Sequence, residues 1–322
     1  MDHTSTTVLA DIPVLSLASP APAFARDIGA SFRRFGFAMV RDHGIDEALI
    51  AQGWALTAAF FALPEAQKRA FHQPGQAGAR GYTPFRTEIA KGAPAHDLKE
   101  FWHIGRDIDR ASPLAASMPP NVWPAEPAGF QAVFSQLFAA FDAAGARILS
   151  AIALDLGLPA DWFAPAIHEG NSVLRLLHYP PITDDAGGMN GEGAIRAGAH
   201  EDINLITLLL GAEEAGLELR AKDGRWLSLA PPPGALVINI GDMLQRLTNH
   251  VLPSTTHRVR NPTPERSRHS RYSMPFFLHL RSDFAFHTLP QCISAENPDR
   301  YPVSITADDY LQERLREIGL KA

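Results

Sequence analysis

The chain has 322 residues, 46% of them hydrophobic, and 29 basic against 35 acidic residues give a net charge of −6. That length supports one large domain or two small ones with a sizeable core, and a net negative chain has no global basic field for nucleic acid. The single cysteine, Cys292, excludes a cysteine-rich zinc module and an intramolecular disulfide.

The first residues, Met1 to Thr4, show no basic and apolar leader, and apolar runs such as Leu205 to Leu210 are too short to span a bilayer. The expectation is a cytoplasmic protein with a small-molecule substrate and neither nucleic-acid nor membrane partners. Composition leaves the oligomeric state open.

In chain order, Ile12 to Leu17 alternates loosely as a first strand. Phe24 to Phe35 follows helical spacing and stops at Gly36. Phe37 to Val40 is a short apolar strand. A second helix starts near Asp46, carries Leu49, Trp54, Leu56 and Phe60 on one face, and ends before Pro64. Residues 72–97, rich in Gly, Pro and polar side chains, are expected to form a long binding loop or lid.

Lys99 to Ile104 is the next expected strand. A long helix then starts at Pro127 and runs to about Leu156 with Gly157 as its stop. Its apolar positions, from Phe130 and Phe134 to Ile148 and Ile152, keep the 3.6-residue period.

From Val173 onward the pattern changes to short apolar runs separated by Gly, Pro, Asn and Asp: 173–178, 203–210, 217–219, 235–240, 256–259 and 271–280. Such runs signal an antiparallel sandwich or barrel. Asp184 to Gly198 is expected to be a mobile loop. The expected architecture is α+β, a jelly-roll core (double-stranded β-helix, cupin-like) supported by N-terminal helices. Residues 1–115 would flank the core and 116–322 would supply the long support helix and the jelly roll, the two making one compact unit.

The chemistry concentrates between His200 and Ser273. Of 13 histidines, only His200 heads a His-x-Asp or His-x-Glu triplet, with Asp202. On extended backbone both side chains point to one side. His257 arrives on a separate short strand. Two imidazoles and a carboxylate suit Fe(II) or Mn(II) and leave coordination positions open for chemistry. They also suit a zinc hydrolase, which would need a base beside the bound water. A surface ion pair and an unrelated core histidine would give the same spacing. Arg271 and Ser273 share one face of an apolar strand, where a buried guanidinium needs an anion and can hold a carboxylate in bidentate fashion.

These residues together resemble the isopenicillin N synthase-like family of Fe(II)/2-oxoglutarate dioxygenases. The resemblance rests on His200-x-Asp202, His257-Arg258-Val259 and Arg271-x-Ser273. It extends to Phe35-Gly36-Phe37, Asp42-His43-Gly44-Ile45, the Leu174 to Pro180 strand and the turn from Gly241-Asp242 to Thr248-Asn249, covering about residues 10–315. It implies Fe(II) on His200, Asp202 and His257, with the distal carboxylate of the cosubstrate 2-oxoglutarate on Arg271 and Ser273. Tyr179 matches a tyrosine that contacts the cosubstrate. Leu177 departs from the asparagine of many plant members, and Arg175 is a candidate replacement for that polar contact.

The implied reaction consumes O2 and 2-oxoglutarate, releases succinate and CO2, and oxidises a C–H bond, most simply by hydroxylation. Some bacterial relatives instead break down 2-oxoglutarate to ethylene or succinate. Isopenicillin N synthase itself uses its Arg-x-Ser pair on a peptide, without 2-oxoglutarate. A non-catalytic sensor on the same fold is the alternative from another class. Tyr82, Phe85, Arg86, Lys91, Phe101, His103 and the Phe276-Phe277 strand are candidates for the substrate pocket.

Overall fold

The computed structural model describes residues 9–76, 78–88, 96–182, 195–211 and 216–317. Strand β1 (Val14–Ser16) leads into α1 (Ala21–Phe35), β2 (Phe37–Arg41), α2 (Glu47–Phe61) and the short α3 (Glu65–Arg69). Strands β3 (Gly81–Thr83) and β4 (Glu100–Gly105) precede the long α4 (Phe130–Asp155) and α5 (Ala164–Ile167). Then come β5 (Val173–Tyr179), β6 (Ala197–His200), β7 (Ile206–Leu210), β8 (Leu217–Arg220), β9 (Trp226–Ser228) and β10 (Leu236–Ile240). The chain continues through α6 (Asp242–Leu247), β11 (His257–Val259), α7 (Pro264–Ser267), β12 (Arg271–Leu278), β13 (Ala285–Phe286), β14 (Ile305–Thr306) and α8 (Ala307–Glu317).

Local chemistry sets the boundaries of the N-terminal helices. Helix α1 has Pro22 in its first turn and ends on Gly36, whose φ of 69° allows its N–H to bond the Phe32 carbonyl at 2.7 Å. Helix α2 is capped by the Asp46 carboxylate, which accepts the Leu49 N–H at 2.9 Å.

The main sheet has the order β1-β2-β10-β7-β12-β5-β4-β3, antiparallel throughout except for the parallel β1–β2 pair. Strands from before and after residue 115 thus share one sheet. A smaller antiparallel sheet, β6-β11-β8-β9, lies opposite. Phe37, Met39 and Val237 of the large sheet pack on Leu217, Leu219 and Val259 of the small one, closing the jelly roll.

The other face of the large sheet carries the helices. On β12, Met274, Phe276 and Leu278 face outward to them, and Phe276 stacks on Phe141 of α4 at 5.6 Å and meets Phe138 edge-on at 5.0 Å. Gly145 lets α4 approach closely, since a Cβ there would sit 2.4 Å from the Leu278 side chain. Phe276 therefore belongs to the core and not to the substrate pocket, because alternation on the strand turns it away from the site face.

Helix α4 has 26 residues and a mean hydropathy of 1.6 over its most apolar stretch, long and apolar enough to cross a membrane by composition alone. The expectation that every apolar run is too short overlooked it. In the fold its Phe134, Leu137, Phe141 and Ile148 are fully buried against the sheet and neighbouring helices.

Two further expectations change. The 72–97 stretch contains β3, which pairs with β4 through Gly81 and His103. The stretch expected to be a mobile loop, Asp184 to Gly198, ends in β6; its residues 183–194 lie outside the described residues. Small side chains in Ala197-Gly198-Ala199 give no strand signal of their own, and pairing with β11 makes the strand. Phe141→Ala should lower unfolding stability by about 3–5 kcal/mol in urea denaturation, because both a large transfer term and a cavity follow.

Candidate metal centre

Strands β6 and β11 pair with His200 opposite His257, bringing the ring centroids to 4.4 Å. Asp202 lies beyond the end of β6, so strand alternation does not aim it as the sequence suggested. Its carboxylate is held instead by two neighbours in the large sheet. Thr207 donates its hydroxyl at 2.6 Å and Asn239 its amide at 2.8 Å, both to Oδ2. Thr207 and Asn239 are register partners on β7 and β10. The Asp202 backbone carbonyl also accepts the Asp242 N–H at 2.7 Å, tying it to the start of α6.

His200 Nε2 lies 3.8 Å from Asp202 Oδ1, and His257 Nε2 lies 3.9 Å from Oδ2. One donor atom from each of the three residues falls within 4.8 Å of the others. Both rings have their other nitrogen occupied: His200 Nδ1 donates to the Gly198 carbonyl at 2.7 Å and His257 Nδ1 to the Thr255 carbonyl at 3.1 Å. That fixes the tautomers with the Nε2 lone pairs free to face an ion.

Burial and then the adjacent His257 lower the His200 pKa to about 4, so its ring is neutral at pH 7. Its side chain nevertheless keeps 40% of its surface exposed, which leaves an approach to the centre. Burial opposes ionisation of Asp202, but His257, His200, Thr207 and Asn239 together hold its pKa below the usual carboxylate value. Two imidazole nitrogens and one carboxylate oxygen make a donor set that fits a divalent cation of the Fe(II) kind.

The same inner face of the large sheet carries the two residues expected to anchor a carboxylate. Arg271 and Ser273 are both buried on β12, with Arg271 opposite Tyr179 and Ser273 opposite Leu177 on β5. The Arg271 guanidinium lies 5.0 Å from the Tyr179 ring centroid. A second buried arginine, Arg196, sits 5.8 Å from the same ring, and sequence reasoning missed it. Leu177 and Tyr179 pack with Phe101 into a small apolar wall beside these cations.

Further along β5 lies Arg175, the candidate replacement for the missing polar contact. Its guanidinium is 4.2 Å from Phe101 and 5.2 Å from Phe277, and its Nε–H donates to His103 Nε2. His103 Nδ1 donates to the Gly78 carbonyl at 2.6 Å, and burial followed by Arg175 pushes its pKa well down, so it stays neutral. Phe277 pairs across the sheet with Thr207, the residue that holds Asp202, which brings its strand position beside the metal centre. Arg175 pairs instead with His103, four residues along β5 from Tyr179.

Tyr82 is a correction. It is fully buried among the aromatic residues of the helix-side core, and its hydroxyl donates to Glu100. Its partner across β3–β4 is Trp102, so alternation sends both away from the site face. Phe85 is half-buried beneath the Arg86 guanidinium at 5.7 Å, and the Arg86 N–H bonds the Lys99 carbonyl at 3.3 Å. Neither side chain has a hydrogen bond to the triad among the described residues. Lys91 lies outside the described residues.

A buried charge network near His200 was also missed. Lys99 contacts Glu88 at 2.9 Å and Asp97 at 2.8 Å, and Asp97 accepts the Gly198 N–H at 2.9 Å. Burial alone would depress the Lys99 ammonium, but Glu88 and Asp97 more than offset it and raise its pKa. Glu88 also reaches Arg175 at 3.3 Å. The available signal was Asp97-Leu98-Lys99-Glu100 within an apolar strand region, since buried charges require partners.

Two outcomes follow from the supports of Asp202. Thr207→Val should weaken Fe(II) binding about 10–100-fold in anaerobic titration, because the carboxylate loses an orienting donor. Asp242 is only 4% exposed and pairs with Arg314 at 3.0 Å. Burial raises its pKa to about 6 against the pull of Ser254 and Arg314. Because the folded pKa exceeds the unfolded one, the associated stability is full below about pH 4 and is lost as pH rises through 6. Between pH 4 and 7, Asp242→Asn should gain up to about 3 kcal/mol on the parent in urea unfolding of the metal-free protein.

Comparisons with known proteins bear on the family and the fold. Residues 170–280 match the family model described as the 2OG-Fe(II) oxygenase superfamily, and residues 12–126 match the N-terminal region of a non-haem dioxygenase in morphine synthesis. The chain is 33% identical to the proline hydroxylase buaE of Petromyces alliaceus, over 91% of this chain and 92% of that protein. A crystal structure of a Caulobacter crescentus protein assigned to the 2OG-Fe(II) oxygenase family superposes with a TM-score of 0.88 at 54% identity, covering 96% of this chain and 99% of the other. Neurospora crassa T7H in complex with alpha-KG and thymine superposes with a TM-score of 0.83 at 28% identity, covering 95% and 96%.

Proposed function

The chain belongs to the 2OG-Fe(II) oxygenase superfamily, and from that premise we propose that it hydroxylates a small organic molecule at a centre built by His200, Asp202 and His257, with 2-oxoglutarate anchored on Arg271 and Ser273. The enzyme uses Fe(II), O2 and 2-oxoglutarate, and bound iron supplies the coupling of cosubstrate decarboxylation, giving succinate and CO2, to oxidation of a C–H bond. One observation carries the assignment of residues. Two histidines with Nδ1 tied to carbonyls and one oriented carboxylate converge beside a sheet face that also carries a buried arginine.

The roles follow from chemistry. His200 and His257 offer Nε2 donors, and Asp202 offers the charge. Arg271 provides a planar fork for the distal carboxylate, and Ser273 adds a hydroxyl donor. Tyr179 and Leu177 shield the cosubstrate's carbon chain. With Leu177 where an amide stands in many plant members, cosubstrate orientation depends more on the guanidinium end. Arg175, His103 and Phe277 form the substrate wall, with Phe101 beneath the guanidinium.

The relatives named for proline and thymine support a compact, polar substrate. Arg175 fits that reading because its bonds to Glu88 are long, 3.3 and 3.4 Å, leaving it able to turn toward an acceptor group. Phe85 and Arg86 are assigned to the outer rim.

The test is succinate release under saturating Fe(II). Arg271→Leu should raise the KM for 2-oxoglutarate by 30-fold or more, equivalent to about 2–5 kcal/mol for a lost buried charge partner. Arg175→Leu should leave that KM within about threefold while raising the KM for the primary substrate. An unchanged cosubstrate KM in Arg271→Leu would remove Arg271 from the anchor role.

A further inference from the structure

The two histidines of the centre are held in unlike ways. His257 keeps only 10% of its side-chain surface exposed, and Phe37 meets its ring edge-on at 5.6 Å. Packing therefore joins the Thr255 carbonyl in fixing that ring. His200 keeps 40% of its surface exposed, so packing restrains it less. Its orientation depends mainly on the Gly198 carbonyl, which accepts the Nδ1–H at 2.7 Å.

That carbonyl itself needs support. Strand β6 lies at the edge of the small sheet and pairs only with β11 among the described residues, in a ladder that is irregular between His257 and Val259. Its Ala197-Gly198-Ala199 run brings no large side chain to anchor it, and Gly198, without a Cβ, has more backbone freedom than any other residue. The support comes from the segment just before β4. Leu98 donates its N–H to the Ile195 carbonyl at 3.0 Å, and Asp97 Oδ1 accepts the Gly198 N–H at 2.9 Å. Asp97 is 5% exposed, and its Oδ2 accepts from Lys99 Nζ at 2.8 Å. Lys99 in turn reaches Glu88 at 2.9 Å. A charged acceptor makes the stronger hydrogen bond, and the lysine offsets the cost of burying the carboxylate.

We infer that Asp97 is a positioning residue for the metal centre: by gripping the Gly198 N–H it fixes the residue whose carbonyl aims His200. Lys99 holds Asp97 in place for that task. The inference rests on His200 being a metal ligand. All three ligands come from the second half of the chain, and this grip is a contribution from the first half. It acts on one histidine only. Its loss should therefore loosen His200 and spare His257, whereas a general loosening of the fold would disturb both.

The test loads the metal-free, full-length protein with Co(II), a divalent ion that the same nitrogen and oxygen donors bind. Its paramagnetism moves the Nδ1–H of each coordinated histidine to a separate, exchangeable proton NMR signal. The parent should give two such signals, with that of the more exposed His200 exchanging faster with solvent. In Asp97→Ala the His200 signal should exchange at least about tenfold faster or vanish while the His257 signal persists, and Co(II) affinity should fall about 10–100-fold. Asp97→Ser, whose hydroxyl is one bond shorter than the carboxylate, should behave alike, so a folding failure of the alanine variant does not end the test. Asp97→Asn keeps an oxygen for the Gly198 N–H. It should restore the His200 signal and bring Co(II) affinity within about threefold of the parent.

Two unchanged signals in the alanine or serine variant would overturn the proposal. So would an equal loss of both signals, the mark of a merely structural role. A parent that takes up no Co(II) would count against the metal centre itself, a failure visible before any variant is compared.

Discussion

A carboxylate buried at the seam of two sheets is the constraint on which this site depends. Asp202 lies outside any strand, yet it must present a charge to two histidines from the opposite sheet. Thr207 and Asn239 make that possible, because adjacent strands place them side by side on the inner face of the large sheet. A carboxylate buried without such donors would gain a proton and lose its value as a ligand. The β6–β11 pairing supplies the other half by setting His200 against His257. The centre therefore exists only when both sheets are closed on each other, and the helices on the outer face serve that closure.

The large sheet separates two kinds of chemistry by simple alternation. On β12, Phe276 enters the aromatic core under α4, whereas Arg271, Ser273 and Phe277 lie on the inner face. On β4, Glu100 turns outward to Lys68 and His178, and Phe101 and His103 turn inward. Charged groups occur on both faces, as in the pairs Lys68–Glu100 on the outer face and Lys99–Glu88 on the inner one. The inner ones, Lys99, Arg175, Glu88 and Asp97, form a connected network near His200 whose charges nearly cancel.

The cluster of His200, Asp202 and His257 was legible because its residue types are rare in combination, although Thr207 and Asn239, and not the strand alternation that the spacing suggested, aim Asp202. Arg271-x-Ser273 was legible for the same reason, since a period of two fixes the shared face. Long helices were readable from apolar periodicity; α4 begins and ends within a few residues of the expected limits. Tyr82 was misplaced because β3 has only three residues and gives no alternation pattern to assign a face. Strand β6 was hidden by its small side chains. The charge wall joins Glu88, Lys99 and Arg175 from separate elements, and no local pattern announces such a meeting. The approach of Arg196 to the Tyr179 ring likewise arises from tertiary arrangement alone.

The central claim is that one Fe(II) and one 2-oxoglutarate meet at this triad. Anaerobic titration of the metal-free protein with Fe(II) and then 2-oxoglutarate, followed by visible absorption, tests it directly. The account predicts a weak charge-transfer band that saturates near one equivalent of each and is lost in Asp202→Ala. A protein that binds both partners without the band, or a band that persists undiminished in Asp202→Ala, would contradict it.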